Sequence, residues 1–456
     1  MIGMLVKILP YALIMFLMYK ALKEPIFFLG IPFLMFIGSS IFFENVGFFY
    51  KPNGIGADLS LLIWLLIFWT LCTNRIFLWK SLEKNKNLNL SFNILDFFVL
   101  ALLILSIFGL LNISRIYLLD KDILIQFFVL CSLSIGYFVV KDIVLATDLI
   151  SLRNFLRILL LINTVGAVLY VLHQGLHITI YQGEEYLEET FNGQSITRTF
   201  WFMPVLLPFS IAYLIVFENK KSAFFILVLA INVLAVFITY TRSILMNVIL
   251  IAVLYFIFTG IKSKQILPVI KNFAVMGFLA LMFFFAVKTF LPLNASYFLS
   301  RFDQIKDEPQ DKESNSLLLR IDNTQNIINR IEVDKIFLGS GPITESESYL
   351  VTTVLAVTAD LVWTGVFFRW GILGFIILLM LHVFAIYKSW KLFMNTEGLL
   401  SQLALLSLLI IISQIVEGFA GYTFMKPNTF ALGFWYFGML SALIIYPDKQ
   451  VINQNS

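Results

Sequence analysis

Apolar runs of membrane-crossing length recur along almost the whole chain, and no other feature limits its fold as strongly. An α-helix needs about 20 residues to cross roughly 30 Å of hydrocarbon. Runs of this kind lie near 4–19, 25–43, 58–78, 92–112, 123–140, 154–173, 199–217, 223–240, 243–260, 272–291, 361–387, 398–416 and 429–446. The expectation is therefore about thirteen transmembrane helices, within bounds of about eleven to fourteen. Composition agrees: 60% of the 456 residues are hydrophobic and 13% are charged, against about 25% charged in soluble domains. Lipid offers no partner to an open backbone, so the expected class is all-α, a polytopic integral membrane protein.

Lysine and arginine stay on the cytoplasmic side of short loops. One set of loops holds Lys20, Lys23, Arg75, Lys80, Lys141, Arg153, Arg157, Lys220, Lys221, Lys262, Lys264, Lys388 and Lys391, while the opposite short loops carry few, such as Lys51, Arg115 and Lys426. The first set is read as cytoplasmic. Segments 174–198, 292–349 and 417–428 then face outward. The chain divides on this reading into a transmembrane bundle (1–291, about ten helices), a large extracytoplasmic loop (292–360), C-terminal transmembrane helices (361–446) and a cytoplasmic tail (447–456). The first run, without a small-residue cleavage pattern behind it, is expected to be a retained span.

The large loop concentrates the polar chemistry. Ser316 is placed to cap a short helix over 317–332, in which Leu317, Ile321, Ile328 and Ile331 recur at helical spacing. Arg320 and Arg330 would lie roughly 15 Å apart along that helix. Gly339 and Pro342 follow it, with Gly341 between them. A water-facing helix with locally paired arginines is the plain reading. The sharper one is that a guanidinium fork grips an anion at the membrane surface. Two further arginines lie within reach of the same face: Arg198, at the mouth of the span near 199–217, and Arg242, in the short Tyr240-Thr241-Arg242-Ser243 link between two spans. Arginine between apolar runs is costly unless it is paired, snorkels, or faces a polar cavity.

Asp360 is expected at the outer end of the span that follows the loop, as a general base or as an interface cap. His173 and His177 are four apart with Glu184, Glu185, Glu188 and Glu189 downstream, a weak metal signal. No metal site and no cofactor are expected. Asp96, Asn163, Asn232 and Gln414 lie within spans, to line a cavity or to bond across helices. No phosphate-binding glycine loop or dinucleotide fingerprint is present. Cys72 and Cys131 both lie in apolar segments, so no disulfide framework is expected, and a formal charge of +4 gives no reason to invoke nucleic acid.

The order of these pieces resembles the superfamily of Wzy polymerases and WaaL O-antigen ligases of bacterial surface-polysaccharide assembly. The resemblance rests on Arg198-Thr199-Phe200-Trp201-Phe202-Met203-Pro204, on Thr241-Arg242-Ser243, on Arg330 followed by Gly341, and on the stretch from Asp360-Leu361-Val362-Trp363 to Gly371-Ile372-Leu373-Gly374. It implies a metal-independent membrane glycosyltransferase of the bacterial inner membrane, acting on an undecaprenyl-pyrophosphate-linked glycan. Arg198, Arg242, Arg320 and Arg330, with Gly339 and Gly341, would hold the pyrophosphate and glycan. Arg242, Arg330 and Asp360 would carry the catalysis, Asp360 as base. A chain-length regulator is implied as a partner. Ligases of the family commonly have a histidine near the loop exit, where this chain has Thr358-Ala359-Asp360. That difference favours a polymerase, with transfer of glycan to lipid A-core or protein as the alternative. A flippase, the reading from another class, would be expected to spread its charges through the spans.

Overall fold

The structure is a computed structural model. It describes 92–116, 121–176, 186–191, 194–199, 203–218, 222–265, 284–307, 336–339, 362–420 and 435–446, together with scattered positions in 12–30, 178, 271–282, 325 and 341. The described helices are α1 (Ile94–Ile116), α2 (Lys121–Ala146), α3 (Leu149–Tyr170), α4 (Met203–Phe217), α5 (Ala223–Ile238), α6 (Arg242–Ser263), α7 (Pro292–Asp307), α8 (Val362–Asn395), α9 (Gly398–Ala420) and α10 (Trp435–Tyr446). A 3-10 turn, Pro25–Leu29, precedes them, and a π turn, Val171–Gly175, extends α3.

Five described helices are long and apolar enough to cross a membrane: Ile94–Leu111, Leu149–His173, Arg242–Ser263, Arg369–Asn395 and Gly398–Val416. They fall on five of the expected spans. Leu207–Phe217, Ala223–Ile238 and Trp435–Tyr446 are shorter apolar helices. The expected span near 58–78 lies outside the described residues, as does most of those near 4–19 and 25–43 and part of that near 272–291.

The described residues are almost entirely helical, as expected, with one exception. Strands β1 (Tyr186–Phe191) and β2 (Gln194–Thr199) form an antiparallel hairpin in which Phe191 pairs with Gln194. The cause is local and was in the sequence: Asn192-Gly193 is the dipeptide that most favours a two-residue hairpin connection. The segment expected to be the large loop opens with a helix. Pro292 opens α7, at the position where a missing N–H costs a helix nothing. The helix expected over 317–332 lies, apart from Gln325, outside the described residues.

The chain falls into two compact units. One comprises Met1–Leu9, Ser40–Phe42 and Leu156–Leu319; the other comprises Pro10–Ser39, Phe43–Phe155 and Arg320–Ser456. In the second, α1, α8 and α10 close around Leu95, Val99, Leu102, Tyr137, Trp370, Leu378, Leu381, Phe437 and Leu440. The outer face of α8 is apolar too: Ile372, Ile376, Leu379, Met380, Val383 and Tyr387 are exposed. A helix apolar on its buried face and on its open face is built for lipid rather than water.

Asp96, in the first turn of α1, is fully buried and takes Lys141 Nζ at 2.5 Å, Tyr137 Oη at 2.7 Å and Ser441 Oγ at 3.3 Å. One carboxylate thus ties α1 to α2 and α10. In the first unit, Asn163 of α3 donates to Ser210 of α4, and Asn232 of α5 donates to Thr164 at 3.1 Å. These three polar residues bond across helices. Gln414 Oε1 is buried without a hydrogen-bond partner among the described residues.

Candidate functional site

Within the first unit, the contacts sort the helix ends into two sets. Arg157, near the start of α3, pairs with Glu218 just beyond α4, Nε to Oε1 3.1 Å. The α4–α5 link therefore lies at the N-terminal end of α3. At the other end, Gly175 of the π turn packs against Ile238, the last residue of α5, so closely that an added Cβ would fall 2.8 Å from Ile238 Cδ1. Strand β2 also touches the π turn. The α5–α6 link, the hairpin and the π turn thus share one end of the unit. Lys262, about 30 Å along α6, and Lys264, just past its end, lie towards the other.

Arg242 is the first residue of α6. Its neighbour Thr241 occupies the capping position but does not cap: its hydroxyl donates back to Thr239 O at 3.0 Å. A cation at a helix N-terminus faces the positive end of the helix dipole, and the pair of them suits a bound anion. Arg242 is half-buried.

The link is held from beneath by Tyr240. This residue has φ +52°, a conformation that costs most side chains on the order of 1–3 kcal/mol. It is 1% exposed; Asn294 of α7 donates to its Oη, and its ring meets Tyr297 edge-on at 4.7 Å. Phe237, one turn earlier, stacks on Phe298 at 4.1 Å. The first two turns of α7 are therefore seated on the Arg242 link.

Arg198 occupies β2 opposite Leu187. That places it on the hairpin, at the same end of the unit as Arg242, and not at the head of a span, because α4 begins at Met203. His173 lies in the π turn, while His177, Glu184 and Glu185 lie outside the described residues, as do Arg320, Arg330 and Asp360.

Gly339 and Gly341 belong to the second unit, where they meet a break in α8. Gly371 has φ 64° and ψ −167° and divides that helix in two. The new helical start would leave its first amides open, and the segment 336–341 satisfies them: Ile372 N donates to Ile336 O at 2.9 Å and Leu373 N to Phe337 O at 3.2 Å. In return Gly341 N donates to Arg369 O at 3.0 Å. The backbones touch so closely that a Cβ on Gly339 would lie 2.3 Å from Arg369 O.

Sequence reasoning passed over Arg369. Its charge sits within an otherwise apolar run, a signal for a functional or structural site. His382, by contrast, is fully buried in α8, with Trp363 and Phe437 edge-on to its ring at 5.5 and 5.0 Å and Nδ1 2.8 Å from Leu378 O.

Residues 225–379 match the family model Wzy_C, described as O-antigen ligase. The match covers about a third of the chain, from α5 to the middle of α8, and takes in Arg242, Arg320, Arg330, Gly339, Gly341 and Asp360 but not Arg198. No curated protein and no solved structure matches the chain.

Proposed function

We propose that this chain, which the match over 225–379 supports as a member of the WaaL/Wzy O-antigen ligase superfamily, polymerises lipid-linked glycan. The substrate is an undecaprenyl-pyrophosphate-linked repeat unit, and the product is surface polysaccharide on the outer face of the bacterial inner membrane. The observation that carries the proposal is the seating of the loop root on the Arg242 link, inside the matched region. The end of the first unit that holds this link is opposite to Lys262 and Lys264, which supports an outward-facing site.

An acceptor sugar hydroxyl attacks the anomeric carbon of the donor glycan. The new glycosidic C–O bond forms as the bond to the pyrophosphate oxygen breaks, and the hydroxyl proton passes to Asp360. Arg242 and Arg330 neutralise the charge that builds on the leaving pyrophosphate, and Arg198 and Arg320 hold its ground-state form. No metal ion takes part in this scheme. The placement of His382 favours polymerisation over ligation. The last histidine of the chain lies within α8 against Trp363 and Phe437, and Thr358-Ala359-Asp360 holds no histidine where ligases of the family commonly have one.

The test is transfer by the purified protein in nanodiscs, supplied with lipid-linked repeat units from a host that lacks it. A ladder of lipid-linked oligomers is the expected product. Glycan joined to added lipid A-core, without a ladder, would make the chain a ligase.

A further inference from the structure

We infer that Tyr240 is a positioning residue: through its hydrogen bond with Asn294 it couples the root of the large loop to the link that presents Arg242. The inference rests on the anion-binding role proposed for Arg242 and adds a residue that acts through it.

The argument begins with backbone conformation. A tyrosine at φ +52° persists only where its surroundings over-determine it, because glycine or asparagine adopts this shape at less cost. The surroundings here do so. The ring is buried, Tyr297 closes one side of it, and the Asn294 amide reaches its hydroxyl. Asn294 is itself 5% exposed. Both ends of this bond are dry, so losing either partner leaves the other with a polar group it cannot hydrate.

The consequence is directional. Arg242 follows Tyr240 by two residues and heads α6, whereas Asn294 and Tyr297 lie in the first two turns of α7. A shift of the loop root is therefore transmitted to the Arg242 backbone through one buried side chain. A turn chosen only for its shape would need a residue that tolerates positive φ. This one carries a phenol whose hydroxyl has a specific partner more than fifty residues away.

The probe is undecaprenyl pyrophosphate without glycan, titrated onto the full chain in nanodiscs, with thermal unfolding followed in parallel. Tyr240→Phe keeps the ring and removes the hydroxyl, and Asn294→Ala removes the same bond from the loop side. Each is expected to weaken binding by on the order of tenfold, and neither should weaken it further in an Arg242→Ala background. Full additivity with Arg242→Ala would overturn the inference, and so would wild-type affinity in Tyr240→Phe or Asn294→Ala. If Tyr240→Phe does not fold, Asn294→Ala alone decides by the same criteria. Should Arg242→Ala itself bind undecaprenyl pyrophosphate like wild type, the anion-binding role of Arg242 fails, and the inference falls with it.

Discussion

Gly341 donates its main-chain amide to the carbonyl oxygen of Arg369 at 3.0 Å, on the edge of the break that Gly371 makes in α8. The short segment 336–341 thus serves as a backbone splint. It receives the first amides of the second half of α8 and returns an amide to the last turn of the first half. Gly339 and Gly371 make this fit possible, since a Cβ on Gly371 would lie 2.4 Å from Phe337 O.

Gly371→Ala and Gly339→Ala should each destabilise the protein by well over about 1 kcal/mol, because positive φ and a backbone clash add together. Gly398, also at positive φ but with nothing within 4 Å of an added Cβ, provides the contrast. Gly398→Ala should lose only the conformational part, about 1 kcal/mol. Apparent Tm of the three variants in one detergent checks the order.

The Asp96–Lys141 pair should behave as a buried ion pair whose partners depend on each other. Lys141→Met leaves the Asp96 carboxylate buried with only neutral donors, Tyr137, Ser441 and the Asn93 amide, and should cost about 3–5 kcal/mol. Asp96→Leu combined with Lys141→Met should cost less than the two single changes added together. Thermal unfolding of the two single variants and the double variant measures the coupling.

A smaller effect is expected at Asp148, which precedes α3 and accepts from Ile150 N at 2.9 Å and Ser151 N at 2.8 Å. Partial burial pushes its carboxyl up, but the Ser151 and Ile150 amides outweigh that and hold it below the ordinary carboxylate value. A depressed carboxyl contributes stability above its unfolded pKa and loses it as pH falls through the folded one. Asp148→Asn, which keeps the acceptor oxygen, should therefore flatten the acid limb of a Tm-against-pH curve. Asp148→Ala should lower Tm at neutral pH by the loss of a cap, about 1 kcal/mol.

The arginines separate function from folding. Arg242→Ala and Arg330→Ala should each abolish long polysaccharide chains while the protein remains in the membrane at wild-type level. Arg242→Lys keeps the charge but not the planar fork and should restore little. Gel profiles of surface polysaccharide, with immunoblots of the membrane fraction, check both statements.

Much of this architecture was legible in advance because lipid makes apolar length the dominant signal. The run expected over 398–416 coincides with Gly398–Val416, and that over 243–260 lies within Arg242–Ser263. Where the reading stopped short, the reasons are local. α8 runs on to Asn395 because helix continues past the apolar stretch, through Lys388 and Lys391. The hairpin was hidden by its polar strands, although Asn192-Gly193 marked it. At the candidate site, the arginines were visible as isolated charges. Tyr240 was not, since nothing in a tyrosine's identity announces positive φ or a partner in α7. The glycines at 339 and 341 stand out in the sequence, but the backbone contact they permit depends on a break in α8 that apolar patterning does not mark.

The most direct test of the central claim is the surface-polysaccharide profile of the host after clean deletion of this gene. Polymerisation predicts loss of the ladder, with a single repeat unit still attached to its terminal acceptor. Complete loss from the acceptor, with long glycan accumulating on undecaprenyl pyrophosphate, would contradict polymerisation and indicate ligation. An unchanged profile would contradict a role in assembling this polysaccharide altogether.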